Sequence, residues 1–408
     1  MKSLSILISA RNLVHRLLPL VLAVILASCA ASRTVDELRT PVPETLVTTA
    51  AVPGYGKIRY WGDDGSSIAP EVFAIRREQV LRAAELDPSI LDQPTTMLTV
   101  SGGGSNGAFG AGLLVGWTAT GKRPKFDLVT GISTGSLTAP FAFLGPPYDE
   151  KLRDAFTTVS RKDIMKRRGV LAILGGQSVA SNDPLRTLVN GYVSDQMVVD
   201  IAREHAKGRR LLIGTTNIDA ERPVIWDIGE IASSGMPDRK QLIANILVAS
   251  AAVPGIFPPV RLAVTADGKT YDELHVDGGT SNQVFLLPAN LTLKQLDKRF
   301  KKKRIKELYI IRNAKTTPEY SQVKPLLASV AGKALGSLTK TQGIGDLYRM
   351  YTQAQREGMD FNFVSIPESF TMKEPKPFDT AYMVALYERG YELGHGRIPW
   401  QKEPPGLN

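Results

Sequence analysis

From Met97 onward, short apolar strand-like runs alternate with helix-like stretches. The glycine-rich turns fall where a strand hands over to a helix. Together these predict an α/β protein: a three-layer α/β/α fold with a mostly parallel central sheet and a helical C-terminal extension. The chain has 408 residues, 43% hydrophobic and 22% charged, which suits one large domain or two ordinary ones. Its formal net charge is +10. A basic surface attracts anionic lipid or nucleic acid, and the sign alone does not choose.

Lys2, Arg11 and Arg16 form a basic leader without acids, so removing residues 1–28 leaves 10 − 3 = +7. Leu17 to Ala27 is an apolar stretch too short to span a bilayer comfortably. Ala27 and Ser28 then precede Cys29, as small residues precede the cut in a secretory signal. Leu26-Ala27-Ser28-Cys29 resembles the lipobox of bacterial lipoproteins. That resemblance implies lipidation of Cys29 and an anchor to a bacterial membrane. With Ala30 following in place of Asp, it also implies the outer membrane of the cell envelope, facing the periplasm. Cys29 is the single cysteine, which excludes an internal disulfide and a cysteine-based zinc site. The four histidines do not cluster at metal-ligand spacing.

Residues 29–92 read as a tether and N-terminal extension. Thr, Val, Pro and Ala dominate up to about residue 56, a turn covers Trp61 to Gly65, and Glu71 to Glu85 form an amphipathic helix. A catalytic domain is expected over 93–315 and a helical extension over 316–408, where Ala381 to Leu393 is the clearest helix. Within the domain, Met97 to Val100 is a buried strand, followed by a glycine loop and a helix from about Asn106 to Thr118. Phe126 to Thr130 is the second strand, and a helix continues to about Phe143. Arg210 to Thr215 is a strand with Glu221 to Asp227 as hairpin partner. Gln241 to Ala252 is helical and stops before Pro254. Glu273 to Val276 and Glu307 to Arg312 are the last core strands.

Chemistry concentrates at three places. Gly131-Ile132-Ser133-Thr134-Gly135 lies between a strand and a helix, the setting of a nucleophile elbow. Such a turn lifts the serine hydroxyl out at the carboxyl edge of a sheet. It also sets Ser133 at a helix N-terminus, where the dipole favours developing negative charge. Ser101-Gly102-Gly103-Gly104-Ser105-Asn106-Gly107 exposes backbone N–H groups able to hold an oxyanion, a contribution of about 3 kcal/mol per donor. The same Gly102-x-Gly104-x-x-Gly107 also fits a dinucleotide-binding turn, with Asp127 as its ribose acid. Against that alternative, Asp127 begins its strand where the pattern wants an acid ending one. Third, Asp277 ends a strand and precedes Gly278 and Gly279. No histidine fits a triad by spacing: His15 is in the leader, His205 in a charged helix, and His275 on the Asp277 strand face; His395 stays open. A dyad of Ser133 and Asp277 fits better, with the carboxylate taking the hydroxyl proton directly. At an unperturbed pKa of about 3.9 an aspartate is a poor base, so burial must help it.

Taken together, these residues resemble the patatin-like phospholipase family over roughly Met97 to Arg312. Thr215-Thr216-Asn217, Ala249-Ser250-Ala251-Ala252-Val253-Pro254 and Phe257-Pro258-Pro259 are lesser marks. The resemblance implies Ser133 as nucleophile, Asp277 as general base and acid, and the amides of Gly102, Gly103 and Gly104 as oxyanion hole. It further implies hydrolysis of lipid acyl esters, a phospholipid or lysophospholipid, with no metal and no organic cofactor. Asn106 stands where the family often carries Arg or Lys, which puts any headgroup role of that position in doubt.

Lys298 to Arg304 is the strongest basic run, a solvated helix face or a contact for anionic lipid. Nucleic-acid binding has no recognisable module here. Two other functions compete with the hydrolase: a non-catalytic envelope protein that binds lipid or a partner, and a dinucleotide enzyme.

Overall fold

The protein is described by a computed structural model over residues 39–68, 70–167, 178–288 and 305–407. The leader, Cys29 and the basic run Lys298 to Arg304 lie outside the described residues. The strands are β1 (Arg59–Trp61), β2 (Thr95–Val100), β3 (Leu128–Ile132), β4 (Lys166–Arg167), β5 (Ala180–Ser181), β6 (Arg210–Asn217), β7 (Arg222–Asp227), β8 (Val260–Ala266), β9 (Lys269–Asp277), β10 (Lys306–Arg312) and β11 (Met359–Ser365). The helices are α1 (Pro70–Leu86), α2 (Gly107–Ala119), α3 (Thr134–Leu144), α4 (Asp149–Thr157), α5 (Arg161–Ile164), α6 (Asp183–Tyr192), α7 (Asp195–Ala206), α8 (Ile228–Ser233), α9 (Arg239–Ser250), α10 (Leu327–Glu357) and α11 (Thr380–His395).

Among the described residues, nine strands form one sheet whose main path runs β1-β7-β6-β3-β2-β10-β11. Its centre, β6-β3-β2-β10-β11, is parallel. These strands are apolar on both faces because both are covered. Leu98, Val129, Ile213, Ile311 and Val364 enter one core, while Met97, Leu128, Leu212, Ile310 and Phe363 enter the other. Helices α2, α3 and α11 cover the first face, and α1 with the C-terminal half of α10 covers the second, giving the three expected layers.

The segment after residue 315 supplies its helices and also a strand. Met359-Asp360-Phe361-Asn362-Phe363-Val364 alternates and pairs parallel with β10. Helix α11 then lies directly on α2, backbone against backbone. A Cβ on Gly112 would sit 2.0 Å from the Tyr387 carbonyl oxygen, and one on Gly390 2.2 Å from that of Phe109. The sheet and its covering helices thus continue past the boundary drawn from the sequence.

Residues 39–56, expected as tether, run along the β8–β9 hairpin. Thr40 N–H donates to the Asp272 carboxylate at 2.8 Å, and Ala51 exchanges backbone bonds with Thr265 at 3.0 and 2.7 Å. Trp61 is paired with Val224 in a strand and is not part of a turn.

Strand β9 sets the site. β7 occupies one edge of β6 as far as Asn217, so β3 and β9 share the other edge. β3 takes Arg210–Gly214, and β9 takes Thr215–Asn217 antiparallel. The two strands therefore run toward each other, and their carboxyl ends meet. Asp277 does end its strand, but it reaches the carboxyl edge of the sheet from beyond it rather than along a parallel strand.

Candidate active site

Ser133 is the residue between β3 and α3, with φ 54° and ψ −128°. That conformation costs about 1–3 kcal/mol and persists only where its surroundings enforce it. They do so through small residues: a Cβ on Gly131 would sit 2.3 Å from the Gly135 carbonyl oxygen, and one on Gly135 2.1 Å from that of Val100. The serine is nearly buried and stands at the N-terminus of α3.

The Asp277 side chain is buried, accepts the Gly279 N–H at 2.7 Å and lies close enough to the Ser133 hydroxyl for the serine to lower its pKa. Burial pushes its pKa up to about 6, and the bonds from Ser133 and Gly279 offset only part of that rise. Its own N–H donates to the Ala252 carbonyl at 2.9 Å. Gly278 is packed so closely that a Cβ would meet the Gly214 carbonyl oxygen at 2.5 Å. The predicted pair is thus brought together, with a carboxylate poised to change charge near neutrality.

The glycine loop lies against them: a Cβ on Gly102 would come 3.0 Å from Ser133 Cβ. Of the three amides expected to hold an oxyanion, that of Gly102 is committed to the Gln283 carbonyl at 3.3 Å. Those of Gly103 and Gly104 have no intramolecular partner among the described residues. The candidate hole therefore narrows to these two. Gly104 has φ 58°, which turns the loop into α2. Asn313, buried at the end of β10, braces the loop from behind. Its side-chain amide donates to the Ser101 carbonyl at 2.9 Å and its side-chain oxygen accepts the Gly110 N–H at 3.0 Å. In place of a basic residue, Asn106 accepts the Tyr382 hydroxyl at 2.7 Å, a bond to the C-terminal helix.

The histidines are engaged elsewhere. His275 is fully buried between Thr215 Oγ1 at 2.9 Å and Glu273 at 3.0 Å, His205 meets Glu230 at 3.1 Å, and His395 stacks on Tyr391. Asp127 accepts the Thr96 N–H at 2.9 Å, at the amino end of β2 and so across the sheet from the glycine loop. It cannot serve a ribose held by that loop, so the acid that the dinucleotide pattern requires is missing from the site.

A channel with about 90 Å³ of free volume opens beside Ser133. Thr134, Leu137 and Phe141 of α3 line it along one face, joined by Leu188, Tyr192 and Leu247. Apart from the residues at Ser133 its walls are almost entirely apolar, the environment for a hydrocarbon chain. Among the described residues no three His, Cys, Asp or Glu gather to hold a metal ion, and no helix is long and apolar enough to cross a membrane.

Residues 98–290 match the family model of the patatin-like phospholipases. Among solved structures, VipD from Legionella pneumophila is 14% identical with a TM-score of 0.37, covering 74% of this chain and 66% of its own. Human GIVD cytosolic phospholipase A2 is 11% identical with a TM-score of 0.30, covering 80% of this chain and 56% of its own. The chain thus spans less than two thirds of either. No curated protein matches it. Ser133, Asp277 and all three loop glycines lie within residues 98–290, the stretch that is similar to the patatin-like phospholipase family model.

Proposed function

We propose that this chain is a serine acyl-hydrolase that cleaves lipid acyl esters, phospholipid or lysophospholipid, through an acyl-enzyme on Ser133. The observation that carries the reading is Ser133 lining an apolar channel with the buried Asp277 carboxylate beside its hydroxyl. The acyl chain lies in the channel with its ester carbonyl at Ser133. The hydroxyl oxygen attacks the carbonyl carbon while its proton passes to Asp277. The oxyanion is held by the Gly103 and Gly104 amides and the positive end of α3. Collapse breaks the ester bond, and Asp277 returns the proton to the departing alcohol. Water then attacks the acyl-enzyme and gives its proton to Asp277, and Asp277 passes that proton to the departing Ser133 oxygen as the fatty acid is released. An aspartate with a pKa near 6 suits this exchange better than an exposed one, because donor and acceptor lie closer in proton affinity.

The enzyme is anchored by lipid on Cys29 and works at the outer membrane facing the periplasm; the lipobox-like Leu26-Ala27-Ser28-Cys29 supports this part of the reading. A labelled fluorophosphonate tests the chemistry. The wild-type chain becomes tagged and the Ser133→Ala chain does not; tagging that survives the substitution refutes the assignment. Labelled palmitate incorporated in wild type and absent from Cys29→Ala tests the anchor.

A further inference from the structure

Helix α10 is too long for the sheet it covers. Its 31 residues extend roughly 47 Å, whereas seven-residue β10 and β11 extend about 23 Å. The chain leaves β10 at the carboxyl edge, and α10 runs back to the amino edge to enter parallel β11. Its buried residues, among them Leu347, Met350 and Ala354, lie in the C-terminal half. The N-terminal half therefore overhangs the carboxyl edge, the edge of Ser133 and Asp277.

This overhang is apolar in solvent. Leu327, Val330, Leu335 and Leu338 recur at helical spacing and are all exposed, Leu327 to 89% and Leu338 to 68%. Leu326 and Tyr320, in the loop just before it, are exposed as well. Scattered apolar side chains need no explanation, but a contiguous stripe marks a contact surface. Between residues 313 and 345 lie Lys315, Lys324, Lys333 and Lys340 against a single acid, Glu319, so the charge is 4 − 1 = +3. Lys340 reaches Glu319 at 2.8 Å and Lys333 reaches Ser321 at 2.9 Å, tying helix and loop into one unit.

We propose that the overhanging half of α10, with its preceding loop, is a lipid-surface docking arm. It seats its leucines at the boundary between headgroups and acyl chains, and its net positive charge draws it to anionic headgroups. This sets the carboxyl edge of the sheet, and with it the channel mouth, against the bilayer. A bilayer suits the arm better than a protein groove because the arm pairs an exposed apolar stripe with a net charge of +3. The inference rests on the reading of Ser133 as a lipid hydrolase only for why this edge faces lipid.

The test uses the full chain on vesicles of equal parts phosphatidylcholine and phosphatidylglycerol. Tryptophan emission from Leu335→Trp, measured over the parent background, shifts to the blue and is quenched by brominated acyl chains. Leu86→Trp, on the amino side of the sheet in α1, stays unquenched in the same vesicles. The Leu335→Trp quenching persists in a Ser133→Ala background, so a wild-type chain that hydrolyses no ester sinks the catalytic reading and leaves the arm standing. Replacing Leu327, Val330, Leu335 and Leu338 together by Ser lowers vesicle hydrolysis at least about tenfold and leaves a soluble short-chain ester within about twofold. An unquenched Leu335→Trp on vesicle-bound protein overturns the proposal. So does a blue shift without vesicles that rises with protein concentration, which identifies a second copy as the occupant.

Discussion

The Ser250 hydroxyl accepts the backbone N–H of Ser133 at 3.0 Å and donates to the Gly214 carbonyl at 2.7 Å. One fully buried side chain thus pins the strained elbow to β6. Two residues on, the Ala252 carbonyl holds the Asp277 amide. The turn after α9 therefore fixes both partners of the dyad. Ser250→Ala leaves a buried donor and acceptor unpaired, a loss of about 1–3 kcal/mol in stability. Because the defect lies under the nucleophile, kcat should fall while KM changes little. Steady-state kinetics beside thermal unfolding check this, and an unchanged kcat refutes the role.

Acidity offers a second check. The Asp277 pKa is about 6 in the fold against 3.8 ordinarily, so between those values the folded chain binds more protons than the unfolded one. Stability contributed by this group is therefore present at low pH and lost as pH rises through that window, by up to about 3 kcal/mol. Activity runs the other way, because only the carboxylate accepts a proton: kcat/KM rises with pH through about 6. Asp277→Asn should be inactive and more stable than wild type above that pH. A flat rate profile across the range would argue against Asp277 as base.

The channel implies a ruler. From Ser133 to Phe141 the α3 axis rises roughly 12 Å. An acyl chain laid along α3 would span that distance between a carbonyl at Ser133 and Phe141. Phe141 and Tyr192, edge to face at 6.0 Å, both line the channel. Across nitrophenyl esters, turnover should peak near this length, and Phe141→Ala should move the peak to longer chains. A profile that Phe141→Ala leaves in place contradicts the ruler.

Close helix contact makes a fourth prediction. At Gly390 any Cβ meets backbone, so Gly390→Ala forces α11 off α2 and should destabilise by about 1–3 kcal/mol. Ending the chain after residue 315 strips β11 and α11 and should yield no soluble folded domain. Denaturant unfolding and expression tests report on each.

The turn at Ser133 and the glycine loop beside it were legible because their signals are local. Gly131, Ser133 and Gly135 are constrained by packing within a few residues, and the loop glycines by close approach. Strand direction was not legible, since nothing in Glu273 to Val276 reports which neighbour it pairs with. The hairpin that reverses it carries Asp267-Gly268, both at positive φ, a signal available in the sequence. β11 alternates plainly but follows a glycine-containing helix whose apolar residues are partly exposed, so periodicity there did not separate core from surface. Ser250 stood within a family mark, yet its role depends on Ser133 and Gly214, each more than 30 positions away.

The opposed approach of β3 and β9 makes the meeting of Ser133 and Asp277 a property of the finished molecule. The nucleophile and its proton acceptor are separated by 277 − 133 = 144 positions and belong to strands that do not pair with each other. Only when both have docked on β6 does the hydroxyl acquire its acceptor. On the proposed mechanism, a nascent or partly unfolded chain carries the serine without the means to ionise it, and lipid around an immature copy would be spared.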